Sequence, residues 1–305
     1  MSDIKLFKIS SSTVEELKGT SVNLEKSLQT MIERNLEAFL GVRFLASEFS
    51  TGKVHGGRID TLGIDEDNCP VIIEYKRTSD ENVINQGLFY LDWLFDHRGD
   101  FKDLVVKKLG AAVAEEIDWS APRLICIASD FTKYDSHAIL QIDRNIDLLR
   151  YRRFGSDLLM FDLVKKATGG SVSLSEHDKT GKSSGNASSY RTVEESLSGA
   201  SSQIRDLFEA LKEYCLGLGD DVEFRTLKYY FAFRHLKNFA CVEISQKRMG
   251  VYLTIDPDTV DLQEGFTRDV RNIGHWGTGK LEITVTCAEE LEAAKPLIVR
   301  SYNNS

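Results

Sequence analysis

Eleven serines fall within the 32 residues from Ser171 to Ser202, after the pair Gly169-Gly170 and around Gly181 and Gly185. A stretch with so few apolar anchors cannot bury enough surface to fix a fold, and it reads as a flexible linker. The 305 residues therefore divide into a front unit over 1–168, a linker over 169–200 and a back unit over 201–305. Each unit is long enough to bury a core of its own.

No apolar run approaches the roughly 18 residues of a membrane-spanning helix; the longest, Leu124-Ile-Cys-Ile-Ala128, has the length of a strand. The first residues, Met1-Ser-Asp-Ile-Lys5, lack a basic stretch followed by an apolar one, so neither a membrane nor a secreted location is expected. Five cysteines stand far apart with no CxxC pair, which argues against structural zinc and for reduced thiols in a cytoplasmic protein. The formal net charge of −9 excludes a chain coated with phosphate-binding charge, although a local basic groove on an acidic body remains compatible with it.

In the front unit Leu24, Leu28, Met31, Ile32, Leu36, Phe39 and Leu40 recur at helical spacing. A strand is expected over 42–49, then two β-rich runs, Arg58 to Ile64 and Val71 to Lys76, joined as a hairpin by the turn Asp65-Glu-Asp-Asn68. A helix over 80–95, a strand over 123–128 and two further strands over 146–154 and 157–164 complete the unit. Helix, three strands, helix, strand is a mixed α/β order, with a mixed sheet flanked by helices. The back unit opens with an amphipathic helix capped by Ser201 or Ser202. Strands follow over 228–234, 239–245, 251–255 and 281–286, and a helix over 288–302 ends a smaller α+β domain.

Glu74 and Lys76 are two apart on one strand and point to the same face, and the hairpin brings Asp60 beside them. Two carboxylates and an ammonium in an apolar, β-branched strand are costly to bury without a compensating partner. A divalent cation is one such partner, and oxygen-only donors suit Mg²⁺ or Mn²⁺. An ordinary cross-face ion pair between Glu74 and Lys76 is the plainer alternative. Gln86 and Tyr90 share a face of the following helix, one turn apart. In the first helix, summed at 100° per residue, Glu25 lies about 40° from the centre of the apolar stripe and Glu33 about 120° away, which assigns Glu33 to solvent.

Gly57-Arg-Ile-Asp60, Val71-Ile-Ile-Glu-Tyr-Lys76 and Gln86-Gly-Leu-Phe-Tyr90, preceded by a helical glutamate, together resemble the PD-(D/E)xK nuclease superfamily, in its RecB-like branch with the NucS-type endonucleases. The resemblance covers about residues 20–165 and implies a restriction-endonuclease-like core. It departs from the superfamily pattern at Ile59, where a proline often stands. It implies that Asp60, Glu74, the carbonyl of Tyr75 and Glu25 hold Mg²⁺ or Mn²⁺, that Lys76 serves the attacking water, and that Gln86 and Tyr90 support the site. Arg58 and Arg77 would contact phosphates, whereas Arg150 to Arg153 read as surface charges on strand edges.

The back unit resembles the DUF5655 family, through Gly219-Asp-Asp-Val222, Lys228-Tyr-Tyr-Phe-Ala-Phe233, Asn238-Phe-Ala240 and Gly274-His-Trp-Gly-Thr-Gly279. That family supplies no chemistry. Between Arg225 and Arg248 six Lys and Arg face one acid, Glu243, and interleave with Tyr229, Tyr230, Phe231, Phe233 and Phe239. Lys228, Tyr230, Arg234 and Lys237 are candidates for a nucleic-acid platform; a half-buried strand with a charged outer face would give the same pattern. His275 has no visible acid–base partner. The expectation is a metal-dependent endonuclease acting on nucleic acid, with DNA the expected substrate, whose back unit selects a nucleic-acid structure or a protein partner; a dimer is compatible with this. The rival expectation is an idle nuclease fold that binds without cutting.

Overall fold

The computed structural model describes residues 4–20, 26–75, 83–155, 157–169 and 191–305. The chain divides into two compact units, Met1–Ser175 and Glu176–Ser305, whose boundary falls in the serine-rich stretch. Residues 170–190, most of the expected linker, lie outside the described residues. No helix among the described residues is long and apolar enough to cross a membrane.

The first unit runs β1 (Leu6–Ser10), β2 (Thr13–Leu17), β3 (Gly19–Thr20), α1 (Lys26–Arg34), α2 (Leu36–Leu40), β4 (Val42–Ser50), α3 (Gly52–His55), β5 (Arg58–Asp65), β6 (Pro70–Tyr75), α4 (Val83–Asp96), α5 (Arg98–Leu109), α6 (Ala111–Glu115), β7 (Arg123–Ala128), α7 (Lys133–Ala138), β8 (Asn145–Phe154) and β9 (Leu158–Ala167). The main sheet has the order β4-β5-β6-β7-β8, with β3 and β9 both paired to β8. β6–β7 and β7–β8 are parallel, and the other pairs are antiparallel. Helix, three strands, helix and strand appear in the expected order from α1 to β7. The structure adds elements that were not expected, namely the β1–β2 hairpin, β3, α3 and the helices α5, α6 and α7, and it breaks the single first helix at Asn35 into α1 and α2.

Every residue of β6 and of β7 is buried, on both faces of the sheet. This is why those strands read as continuous apolar runs rather than alternating ones. α4 lies close on β7, since a Cβ at Gly87 would fall 2.3 Å from Cδ1 of Leu124. Only a glycine permits that approach.

At the far end of the hairpin, Oδ1 of Asp65 accepts the N–H groups of Asp67 and Cys69 at 3.0 and 2.9 Å, closing the turn. Arg123 is buried against two acids, 3.6 Å from Asp65 and 2.5 Å from Asp147. One guanidinium thus ties the turn to β7 and β8. Arg150, expected at the surface, is also buried, paired with Asp162 and with Asp130.

The second unit contains α8 (Val193–Ser198), α9 (Ser202–Leu216), β10 (Glu223–Thr226), β11 (Phe231–Arg234), β12 (Asn238–Ile244), β13 (Met249–Leu253), β14 (Thr267–Asp269), β15 (Leu281–Val285) and α10 (Ala288–Asn303). It begins before the expected residue 201. Thr192 and Glu195 form a reciprocal cap on α8, and Val193 is buried in the core with Ala200. Ser201 caps α9 by accepting from Ile204 N–H at 3.3 Å. Six antiparallel strands in the order β10-β11-β12-β13-β15-β14 bury one face against the three helices. All five cysteines are free thiols.

Replacing Arg123 by leucine would leave two buried carboxylates facing each other without their cation. We expect a loss of about 3–5 kcal/mol in unfolding free energy, read from urea denaturation.

Candidate active site

The backbone ladder between β5 and β6 stops at the pair Thr61–Ile73. Beyond it the strands are joined through side chains. The Asp60 N–H donates to Oε1 of Glu74 at 3.0 Å, and the Tyr75 N–H donates to Oδ2 of Asp60 at 3.0 Å. Asp60 and Glu74 are therefore brought together as the sequence requires. Asp60 is half-buried, while Glu74 is only 1% exposed, on the sheet face shared with Ile72, Leu62, Leu124 and Cys126. Lys76, Arg77 and Glu25 lie outside the described residues.

The QxxxY pair reaches this end of the sheet from α4. Gln86 is exposed and its amide donates to the Tyr90 hydroxyl at 3.3 Å; that hydroxyl in turn accepts the Arg58 N–H at 3.0 Å. Tyr90 is buried, and its ring occupies the space that a Cβ at Gly57 would need, 2.6 Å from Cε1. The Gly57-Arg58 backbone is held from the other side as well: Gly57 N–H donates to the Thr51 hydroxyl at 2.9 Å. The role of Tyr90 is thus mechanical. It fixes the start of the strand whose third residue is Asp60. The Arg58 side chain is exposed and sits 3.3 Å from Glu48.

A third acid joins from α1, and it is Glu33 rather than a solvent-facing residue as its angle on the helix suggested. Its Oε1 accepts from the Thr61 and Ser47 hydroxyls at 2.7 and 2.8 Å and from the Gln29 amide at 3.0 Å. Ser47 and Thr61 are cross-strand partners, so their hydroxyls form a small polar platform on the sheet face opposite Glu74. The apolar stripe that sets that angle includes Leu36, Phe39 and Leu40, which belong to α2 beyond the break at Asn35. Within α1 alone, Gln29 and Glu33 are one turn apart along the edge facing β4 and β5. A buried glutamine and two strand hydroxyls were the available signal. Tyr75 emerges on this opposite face too. Burial pushes its phenol well above the ordinary value. The Thr61 hydroxyl opposes that shift, and the negative charges of Glu33, Asp60 and Glu74 reinforce it.

Among the described residues no group of three or more His, Cys, Asp and Glu is gathered as a metal centre. The groups that meet here are the Asp60 and Glu74 carboxylates, whose hard oxygens each accept a backbone N–H of the facing strand.

The expected platform in the second unit does not form. Arg234 and Tyr230 are buried, and Phe231, Phe233 and Phe239 belong to the core under the helices. Alternate residues of β11 serve opposite faces of the sheet, so a run of rings adjacent in sequence is divided between two packed layers. Of the four candidates, Lys228 is exposed, with its ammonium 4.9 Å from the Tyr229 ring centre, and Lys237 is half-buried. His275 stacks flat on Tyr252 at 4.3 Å, with both ring nitrogens 3.2 Å from backbone carbonyls of its own loop, while Trp276 stacks on Tyr229 at 4.2 Å. These contacts give that loop a packing role.

Residues Gly57 and Tyr90 are expected to act as one unit. Gly57→Ala should lower stability by about 1–3 kcal/mol by forcing the ring aside. Tyr90→Phe, which strips the acceptor from the Arg58 N–H and from the exposed Gln86 amide, should cost about 1 kcal/mol in the same urea titration.

Comparison with known proteins bears mainly on the second unit. Residues 193–305 match the family described as domain of unknown function DUF5655. A protein of Haemophilus influenzae, described only as uncharacterized, is 29% identical over 305 residues, 99% of this chain and all of the relative. No solved structure matches.

Proposed function

We propose that the first unit is a metal-dependent nuclease that hydrolyses phosphodiester bonds in nucleic acid, with DNA the expected substrate. The observation that carries this reading is the reciprocal pairing of Asp60 and Glu74 at the point where the β5–β6 ladder ends. Acceptors alone would finish the ladder there, and neutral amides would serve at lower cost than two carboxylates. Two carboxylates brought together at a strand end are a donor pair that a divalent cation can share.

Asp60, Glu74 and the Tyr75 carbonyl would hold Mg²⁺ or Mn²⁺, which when bound supplies Lewis acidity and a more acidic water. Lys76 stands two residues beyond Glu74 in sequence, and its ammonium is the group expected to orient that water. Tyr90 holds the strand that presents Asp60, and Arg58 offers a cation on the same side of β5 for a substrate phosphate. Glu25 would be the helix-borne ligand, as the resemblance implies, while Glu33, on the hydroxyl platform of the other sheet face, ties α1 to β4 and β5. The second unit would select a nucleic-acid structure or bind a protein partner.

The absence, among the described residues, of a third carboxylate gathered with Asp60 and Glu74 favours a second reading. In that reading the fold is kept as a binding module without chemistry. Calorimetric titration with Mn²⁺ separates the two. Wild type should bind the ion, Asp60→Asn should lose most of that affinity while keeping the Tyr75 N–H acceptor, and cleavage should vanish in Asp60→Asn and in Lys76→Ala. Equal cleavage by all three proteins, or a wild type that takes up no ion, would overturn the proposal.

A further inference from the structure

We infer that the second unit takes a backbone phosphate of nucleic acid on the helix-free face of its sheet, between Arg248 and Arg268, which the buried Glu282 holds together. This deepens the proposed function by naming the surface with which the second unit grips nucleic acid, and it rests on that reading.

Met249, Val251, Leu281 and Ile283 lie in the core under the helices, so strand parity turns Arg248, Gly250, Lys280 and Glu282 to the opposite face. Arg268 joins them from β14 as the cross-strand partner of Glu282. Glu282 is only 2% exposed, yet the side chains of both arginines over it are about half exposed. Arg268 donates its Nε–H to Oε2 of Glu282 at 2.8 Å and adds Nη2 on the same oxygen. Arg248 stands 3.7 Å from Oε1, reaching it past Gly250, where a Cβ would lie 3.5 Å from that oxygen. A buried carboxylate needs a cation, and Arg268 alone supplies it. Arg248 is a second positive charge on the same group. Arg271, in the loop after β14, shows the contrary state, enclosed by Asp256, Asp258 and Asp269 with no charge to spare.

Two guanidiniums that meet on one carboxylate lie close enough to share one phosphate. Each guanidinium carries five N–H donors, of which Arg268 spends two groups on Glu282. The donors that remain are planar forks, which match the two free oxygens of a phosphodiester. Its single negative charge equals the surplus left by two arginines on one glutamate. Lys280, exposed on the same face two residues before Glu282, extends the positive surface. The further acid on this face, Glu243, stands across from Gly250 and accepts the Trp276 N–H at 2.6 Å. In a chain whose net charge is −9, such a patch is where a polyanion can approach. A contact to phosphate carries no base information, so the second unit grips here without reading sequence.

The test uses the full chain with Ca²⁺ in place of Mg²⁺ or Mn²⁺, and reads binding of a labelled DNA by fluorescence anisotropy over a range of salt concentrations. Arg248→Gln should weaken binding about fivefold and lower the slope of log affinity against log salt by about one. Arg268→Lys keeps the charge and the partner of Glu282 but loses the fork, and should weaken binding by a similar factor. Arg271→Gln removes the same charge from a saturated arginine and should match wild type. Thermal unfolding of each variant separates a lost contact from a lost fold. Binding that Arg248→Gln leaves unchanged, or an equal loss in Arg271→Gln, would overturn the inference. Competition by poly-glutamate as strong as by unlabelled DNA would also overturn it, by assigning the face to an acidic protein. A parallel cleavage assay with Mg²⁺ on wild type and Asp60→Asn keeps the two ideas apart. Cleavage that depends on Asp60, alongside arginine variants that bind like wild type, sinks the phosphate grip alone. Binding that depends on the arginines, without cleavage by wild type, sinks the nuclease reading alone.

Discussion

Where the β5–β6 ladder ends, two backbone N–H groups still need acceptors, and the chain supplies carboxylates in place of carbonyls. Much of the first unit is arranged around that substitution. The hairpin must hold its register, or Asp60 and Glu74 would turn to opposite faces; a slip of one residue would do that. Register is fixed at the far end by the Asp65 turn and by the Arg123 guanidinium spanning Asp65 and Asp147. It is fixed at the near end by Tyr90 and Thr51, which hold Gly57 and Arg58 from two sides. Buried polar groups at both ends of one hairpin cost desolvation, and their return is a strand that cannot slide.

The order of elements was legible because helix and strand periodicities differ, and because β6 and β7, covered on both faces, read as unbroken apolar runs. Asp60, Glu74 and the Gln86–Tyr90 pair were legible for the same reason. Strand parity and helical spacing are local rules, and the hairpin needs only one turn to bring its strands together. Glu33 was not legible as it was approached. Its environment is made by Ser47 and Thr61, which meet only through the β4–β5 register, and by a helix that ends at Asn35 sooner than its apolar spacing implies. The break at Asn35 carries no proline or glycine to announce it.

In the second unit the aromatic run from Tyr229 to Phe239 shows how composition misleads when topology is unknown. Rings and cations that alternate in sequence suggest a platform for nucleic acid. Here β11 lies between β10 and β12, so both of its edges are paired, and both of its faces are packed as well. Phe231 and Phe233 go under the helices, while Tyr230 and Ala232 go to the other layer with Cys241 and Tyr252. Helices on one face and the Trp276 loop on the other leave the strand no surface to offer. The serine count misled in a similar way at residue 193, since Thr192 and Glu195 form a helix cap of ordinary composition inside a serine-rich stretch.

The two faces of the β5–β6 sheet invite different roles for their polar groups. On one face Glu33 is already satisfied by two hydroxyls and an amide, the state of a carboxylate whose task is to hold strands and helix together. On the other, Asp60 and Glu74 each engage a neighbouring backbone N–H, and a carboxylate can accept several bonds at once. Both carboxylates are thereby oriented by the backbone of the facing strand, and an oriented anion is what preorganisation for a cation or a substrate requires. α4 supplies the rest of that face: Tyr90 for rigidity, Gln86 at the rim and Phe89 open to solvent beside them. The chemistry proposed for this unit is placed on the side covered by α4, where two carboxylates meet, while the single acid on the side covered by α1 ties a helix to two strands.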